Sequence, residues 1–159
     1  MGKLALDHPP DDLYDTDFYD WTQAQAALIR QKRWSALDLE NLAEEMELMG
    51  GSQKSEIFNR LAVILEHLLK WEYQPEHRKY GWKATLQEQR ICLHEVLRSS
   101  PSLKRHPAEV LDRSYRLGRI RASSDTGILE RLFPAECPYK LTDALDHNYY
   151  PGPREPWLS

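Results

Sequence analysis

The sequence predicts an all-α protein: a bundle of about five principal helices, then short C-terminal helices and an extended arm rich in proline and aromatic residues. Three observations predict this fold. Apolar residues recur at helical spacing along most of the chain. Strand signals are almost absent, since no sustained apolar–polar alternation and no Asn-Gly or Asp-Gly hairpin turn occurs. The predicted connections are short, as antiparallel helical neighbours require.

Composition and charge narrow the class of protein. A chain of 159 residues with 41% hydrophobic and 29% charged residues can build a core without disulfides or metal ions. No apolar run approaches the roughly 18 residues that a membrane span needs, so no membrane partner is expected. A net charge of −4 argues against a protein that binds nucleic acid with its whole surface.

The predicted domain organisation is simple. We expect a mobile leader over residues 1–13, a single all-helical domain over 14–151 and a frayed tail over 152–159. The start of the chain lacks the apolar core of a signal peptide. Cys92 and Cys137 do not form the pattern of a secreted disulfide framework. These features favour a cytoplasmic protein.

Two helices are predicted in the first third of the chain. Asp15 or Thr16 is expected to cap a helix that runs to about Lys32. Ser35 and Asp38 then resemble a capping box, with Asp in place of the usual Glu or Gln.

The helix that this box opens carries one apolar stripe at positions i, i+3, i+7 and i+10. Its members are Leu39, Leu42, Met46 and Met49. The pair Gly50-Gly51 is predicted to end the helix, because glycine is the most favourable residue at a left-handed C-cap.

The longest helix is predicted from Ser52 to about Gln74 and is expected to be central, because its apolar face is wider than one stripe. Further helices are predicted over Tyr80–Ser99 and from Ser102 to about Ser124. Short pieces follow over Ile128–Phe133 and over Leu141–Asp146, the last capped by Thr142. The residues expected to be most buried are Leu61, Leu65, Leu68, Trp82, Leu86 and Leu93. A free aromatic segment after Phe133 would expose a large apolar area, so the segment is expected to lie on its own bundle. The alternative is that it lies on a second chain as an exchanged arm.

Three stretches stand out when they are taken together. They read LENLAEEME at 39–47, EHLLKW at 66–71, and FP, CPY, LD and YP within 133–151. In this order and at this spacing they resemble the bacterial family catalogued as domain of unknown function 29, over about residues 11–151. The resemblance implies an all-helical fold. It implies no activity, because the family has no established one.

An acidic face is the first candidate site. Glu40, Glu44 and Glu47 share one face of the second predicted helix. If the next helix packs antiparallel to it about Gly50-Gly51, His67 comes near Glu44 or Glu40. Carboxylates and a histidine within a helical bundle are ligands for a divalent metal ion, so Glu44, Glu47 and His67 are candidate metal ligands. The alternatives are a solvated acidic face and a partly buried, structural histidine.

A basic face is the second candidate. Residues 102–127 hold six basic and three acidic residues, a net of +3, whereas residues 1–49 hold four basic and eleven acidic residues, a net of −7. The arginines of this face are Arg113, Arg116, Arg119 and Arg121. They are suited to pairing within the molecule or between subunits, to an acidic partner, or to nucleic-acid phosphates.

Two polar residues interrupt the apolar stripe of the fourth predicted helix. If Gln89 and Arg90 are buried, each must find partners. A pair between Arg90 and Glu44 or Glu47 would satisfy both charges.

No complete catalytic set is visible, and no G-x-G-x-x-G, HExxH or C-x-x-C motif occurs. The sequence therefore favours a non-enzymatic, protein-binding or regulatory module that associates with itself or with another protein, and no cofactor is predicted. One alternative is a metal-dependent enzyme built on Glu44, Glu47 and His67, with a divalent metal ion. A further alternative is nucleic-acid binding through the arginine-rich helix.

Overall fold

The computed structural model describes residues 13–152, and these residues form α-helices joined by short turns, with no strand among them. The helices are α1 (Leu13–Thr16), α2 (Phe18–Arg30), α3 (Leu39–Tyr73), α4 (Tyr80–Ser99), α5 (His106–Thr126) and α6 (Leu141–Leu145). The all-helical fold is confirmed. Residues 1–12 of the predicted leader and 153–159 of the predicted tail lie outside the described residues. The chain divides into two compact units, residues 1–50 and 51–159, and the division falls within α3.

The prediction that Gly50-Gly51 ends a helix is wrong. Helix α3 is continuous from Leu39 to Tyr73, so two predicted helices are one and Ser52 starts none. Neither glycine has the positive φ of a left-handed cap. Glycine permits that conformation but does not impose it, and in a helix it costs only about 1 kcal/mol relative to alanine. This is why four helices are long where about five were expected.

The predicted starts and ends of the first helices need small corrections. Asp17, rather than Asp15 or Thr16, caps α2, and its Oδ1 accepts the main-chain N–H of Asp20 at 3.0 Å. The helix ends at Arg30, because Lys32 has a left-handed φ of 58°.

Two later helices also begin elsewhere than predicted. Helix α5 begins at His106, since Ser102 belongs to a separate 3₁₀ turn, Pro101–Leu103. Pro107 lies in the first turn of α5, where its missing N–H costs nothing. Helix α6 begins directly after Lys140, so Thr142 lies inside it and is not its cap.

A small core organises residues 13–50. Trp21 and Leu28 of α2 are buried there together with Ala36. The indole Nε1 of Trp21 donates to Asp38 Oδ2 at 3.1 Å, and the side-chain oxygen of Gln25 accepts the main-chain N–H of Asp38 at 2.9 Å. These bonds join α2 to the residue that precedes α3.

The core of residues 51–152 is larger, and its buried residues include those predicted from the sequence. All six residues expected to be most buried are buried: Leu61, Leu65, Leu68, Trp82, Leu86 and Leu93. Phe133, Tyr139 and Ala144 of the C-terminal arm, which we define as residues 128–152, are also buried in this core. The expectation that the aromatic segment lies on its own bundle is therefore confirmed.

Among residues 13–152, no helix is long and apolar enough to cross a membrane.

Candidate functional site

The first half of α3 carries an exposed apolar surface. We call Leu39, Leu42, Met46 and Met49 the α3 stripe. Leu39 is 67% exposed, Met46 65% and Met49 69%, while Leu42 is half-buried. A stripe of this kind on a helix ordinarily faces a core. Here it faces outward, which large apolar side chains do at a cost unless something covers them.

Other apolar side chains of this part of the chain are exposed as well. Of the fourteen large apolar residues exposed among those described, eight belong to residues 13–50. The other five members, beyond the three of the α3 stripe, are Phe18, Tyr19, Ile29, Trp34 and Leu48. Residues 13–50 are 38 of the 140 described, so this concentration is about twice what an even spread would give.

Acidic residues flank the α3 stripe. At 100° per residue, Glu45 lies about 40° from Met49 on one side of the stripe, and Glu47 lies about 80° from Leu39 on the other. Glu45 accepts a hydrogen bond of 2.7 Å from the hydroxyl of Tyr14, which raises the pKa of that tyrosine to about 12. Residues 13–50 contain eight acidic and three basic residues, a net charge of −5. The apolar surface is therefore set in a negative field.

The candidate metal ligands do not form a metal site among the residues that the structure describes. Glu44 and Glu47 are exposed in residues 13–50, and the turn that was to bring His67 near them is absent, because α3 continues through Gly50-Gly51. Within residues 13–152, no group of three or more His, Cys, Asp or Glu side chains is placed to hold a metal ion.

His67 itself is engaged within its helix. Its Nδ1 lies 2.9 Å from the main-chain oxygen of Val63, so this nitrogen carries the hydrogen and donates it. Burial lowers the pKa of His67, which favours the neutral ring. This geometry corresponds to the structural histidine that was the alternative to a ligand.

A charged cluster joins α3 to α5, with Glu66 and Lys70 buried and Asp125 exposed. Lys70 Nζ lies 2.7 Å from Asp125 Oδ2 and 3.4 Å from Glu66 Oε1. Burial raises the pKa of Glu66, and a hydrogen bond with Asp125 adds to this. The hydrogen bond from Lys70 lowers the pKa of Asp125. Of the two carboxyl groups, Glu66 therefore holds a proton more tightly than Asp125 does, beside the ammonium group of Lys70.

Sequence reasoning missed this cluster, although a signal was present. Glu66 and Lys70 stand four residues apart within the most apolar helix of the chain, where charged residues are seldom found without partners. Asp125 could not be assigned to them, because it lies 55 positions beyond Lys70.

Arg90 is a buried polar residue whose partners are main-chain oxygens. Its Nε donates to Ala144 and its Nη2 to Tyr149, both over 2.9 Å. The suggested pairing with Glu44 or Glu47 is therefore wrong: the guanidinium is held by the carbonyls of the arm. The neighbouring residue, Gln89, is half-buried, and its side-chain oxygen accepts a hydrogen bond of 3.0 Å from Arg60.

The arginines of the basic face have different environments. Arg119 is paired internally, with Nη2 2.7 Å from Glu130 Oε1 and Nη1 3.1 Å from the main-chain oxygen of Pro134. Arg113 lies over the ring of Phe58, with 5.6 Å from its Cζ to the ring centre. Arg116 is exposed and Arg121 is half-buried, and neither forms an ion pair with a residue of 13–152.

An open cleft of about 730 Å³ lies beside this face and has walls of mixed charge. Its lining includes Asp112, Tyr115, Arg116, Arg119, Glu136 and Cys137. The thiol of Cys137 donates to the main-chain oxygen of Tyr139 at 3.5 Å, and burial raises its pKa. A thiol of this kind is a poor nucleophile at neutral pH, so the cleft does not present a cysteine-based catalytic site.

Comparison with known proteins identifies the family to which the chain belongs. No curated protein and no solved structure is significantly similar to the chain. A family model, however, matches residues 13–150, which is nearly all of the described part. The resemblance found in the three sequence stretches is thereby confirmed, and the chain belongs to the family described as Domain of unknown function DUF29.

Proposed function

We propose that this protein is a non-enzymatic, protein-binding module of the bacterial cytoplasm, and that its partner is a basic amphipathic helix that docks on the α3 stripe. The observation that carries the proposal is the exposure of Leu39 and Met46 on one face of a helix whose flanks are acidic.

The spacing of the stripe favours a helical partner. Positions i, i+3, i+7 and i+10 are the a and d positions of two heptads, the seam through which helices pack knobs into holes. Burying one Leu or Met side chain contributes about 1.5–3 kcal/mol. Methionine adapts to irregular surfaces, and methionine-rich faces are common where helices are bound.

The charge of the surface favours a basic partner over a second copy of the same surface. Residues 13–50 have a net charge of −5, so two such surfaces brought together would repel. A helix with Lys or Arg beside its apolar positions would instead meet Glu45 and Glu47 across the seam. Opposite charges would also raise the rate of encounter, an effect that salt reduces.

A pair of designed peptides tests the proposal. Both are amphipathic helices with the same leucine heptads, and they differ only in carrying Lys or Glu at the flanking positions. We expect the Lys peptide to bind in fluorescence anisotropy, more weakly as salt is raised, and the Glu peptide not to bind. Equal binding of both, or of neither, would contradict a basic partner.

Two variants locate the binding surface. The double substitution Leu39→Gln, Met46→Gln should weaken binding of the Lys peptide at least about tenfold, since it removes two apolar side chains that the bound peptide would bury. The matched control is Leu48→Gln, which is 59% exposed on the opposite face of α3 and should change little. If both proteins lose binding equally, the stripe is not the site.

Light scattering tests whether a second copy of the chain, instead of a basic helix, covers the α3 stripe. A dimer that dissociates in the double variant, but not in Leu48→Gln, would show that a second copy covers the stripe and that the basic partner is wrong. The metal-dependent and nucleic-acid alternatives are tested by elemental analysis and by gel shifts at several salt concentrations.

A further inference from the structure

A second cavity lies between α3 and α5, away from the α3 stripe along the sequence. Its volume is about 270 Å³. The part of α3 that follows Gly51 supplies Lys54, Ser55 and Phe58, and α5 supplies His106 and Arg113. All five belong to residues 51–159, so this cavity is formed within one compact unit.

The cavity is positively charged. Lys54 and Arg113 form no ion pair with any residue of 13–152, and no carboxylate lines the walls. A carboxylate does contact one lining residue: Glu109 Oε2 lies 3.0 Å from His106 Nδ1.

The groups around the cavity are donors suited to an oxyanion. The guanidinium of Arg113 lies over the ring of Phe58, with 5.6 Å from its Cζ to the ring centre, and this cation–π contact restrains the side chain. The fork of an arginine matches two oxygens of a phosphate, and a lysine supplies a mobile point charge. The hydroxyl of Ser55 is a further donor.

The volume indicates more than a bare phosphate ion. The cavity of about 270 Å³ is larger than one phosphate ion and is open to solvent. The remaining space can hold a small organic group, and the half-buried ring of Phe58 provides an apolar wall for it.

We propose that this cavity binds a small phosphate monoester, with its phosphate between Lys54 and Arg113 and its organic group against Phe58. This site is independent of the proposed docking of a helix on the α3 stripe. Each can be present without the other.

Calorimetric titration of the full chain at constant ionic strength tests the site, with inorganic phosphate and glycerol 3-phosphate as probes. We expect both to bind and glycerol 3-phosphate to bind more tightly, with no heat from glycerol or chloride. Failure of both probes to bind overturns the proposal. Binding to vesicles that contain phosphatidic acid, without binding of glycerol 3-phosphate, also overturns it, since the ligand would then be a membrane surface.

Three exposed residues provide matched variants. Lys54→Gln and Arg113→Gln should each weaken the binding of glycerol 3-phosphate about tenfold, as the loss of a charge-assisted contact does. Arg116→Gln removes the same charge three residues further along α5, outside the cavity, and should leave the affinity unchanged. Equal weakening in all three variants would show a general response to positive charge and would contradict the site.

Discussion

Arg90 Nε donates a hydrogen bond of 2.9 Å to the main-chain oxygen of Ala144, inside the core of the protein. The side chain has no solvent exposure, and its Nη1 has no hydrogen-bond partner among the described residues. The guanidinium charge of Arg90 is thus buried, and its hydrogen bonds hold the arm against α4. Such an arrangement costs desolvation and is retained only where the remaining bonds are well formed.

The substitution Arg90→Leu should lower the free energy of unfolding by about 2–4 kcal/mol, because it leaves the carbonyl oxygens of Ala144 and Tyr149 buried without a donor. Urea denaturation measures this. The control is Arg98→Leu, an exposed arginine on the same helix, for which a change within about 0.5 kcal/mol is expected. Equal effects of the two substitutions would mean that the bonds to the arm contribute no net stability.

The substitutions Gly50→Ala and Gly51→Ala should each raise stability by about 0.5–1 kcal/mol, the difference between glycine and alanine inside a helix. An added Cβ at either position meets nothing within 4 Å. The reverse is expected for Gly127→Ala, since Gly127 has a φ of +73° at the end of α5. A loss of stability at Gly50 or Gly51 would indicate a turn there instead of a continuous helix.

Gly118→Ala should lower stability by about 1–3 kcal/mol, although alanine is the better helix former. An added Cβ would lie 2.7 Å from the main-chain oxygen of Ala62 and 3.0 Å from the nitrogen of Glu66. Both atoms are backbone and cannot move aside cheaply. Gly81→Ala is the matched control, because it meets nothing within 4 Å in α4. The midpoint of thermal unfolding should therefore fall in Gly118→Ala and rise in Gly81→Ala.

Glu66→Gln should stabilise the protein increasingly as pH rises. Burial raises the pKa of Glu66 above its usual value of 4.5, so the folded state binds this proton more tightly than the unfolded state does. The stability that the protonated group contributes is complete below pH 4.5 and is lost as pH rises through the folded pKa. Glutamine imitates the protonated group at every pH.

Urea denaturation of Glu66→Gln and of wild type at pH 4 and pH 7 measures this difference. The advantage of the variant should be larger at pH 7, and Glu88→Gln, on the exposed side of α4, should show no such trend. An advantage that shrinks as pH rises would mean that the folded protein favours the carboxylate of Glu66.

Periodicity was sufficient to predict the core but not the continuity of α3. The apolar face that includes Leu61 and Leu65 repeats over several turns, and only a buried helix explains such a pattern. Gly50-Gly51 carries no comparable information, because its two outcomes differ by about 1 kcal/mol per residue and longer-range packing decides between them.

The candidate sites were predictable only in part. The α3 stripe is visible in the sequence, but the same spacing describes a helix face that enters a core and one that binds a partner. Only the exposure of Leu39 and Met46 separates the two. The phosphate cavity depends on Lys54 and Arg113, which stand on different helices 59 positions apart, and no local pattern brings such residues together.

The burial of Phe133 and Tyr139 sets a limit on when the protein can fold during its synthesis. Both side chains complete a core whose other members belong largely to α3, α4 and α5, so those helices leave the ribosome before the segment that seals them. For that interval an apolar surface near Leu61 and Leu86 is open to water and to other nascent chains, at translation rates of about 5–20 residues per second. The hydrogen bonds that hold Arg90 can form only after Ala144 and Tyr149 have been synthesised.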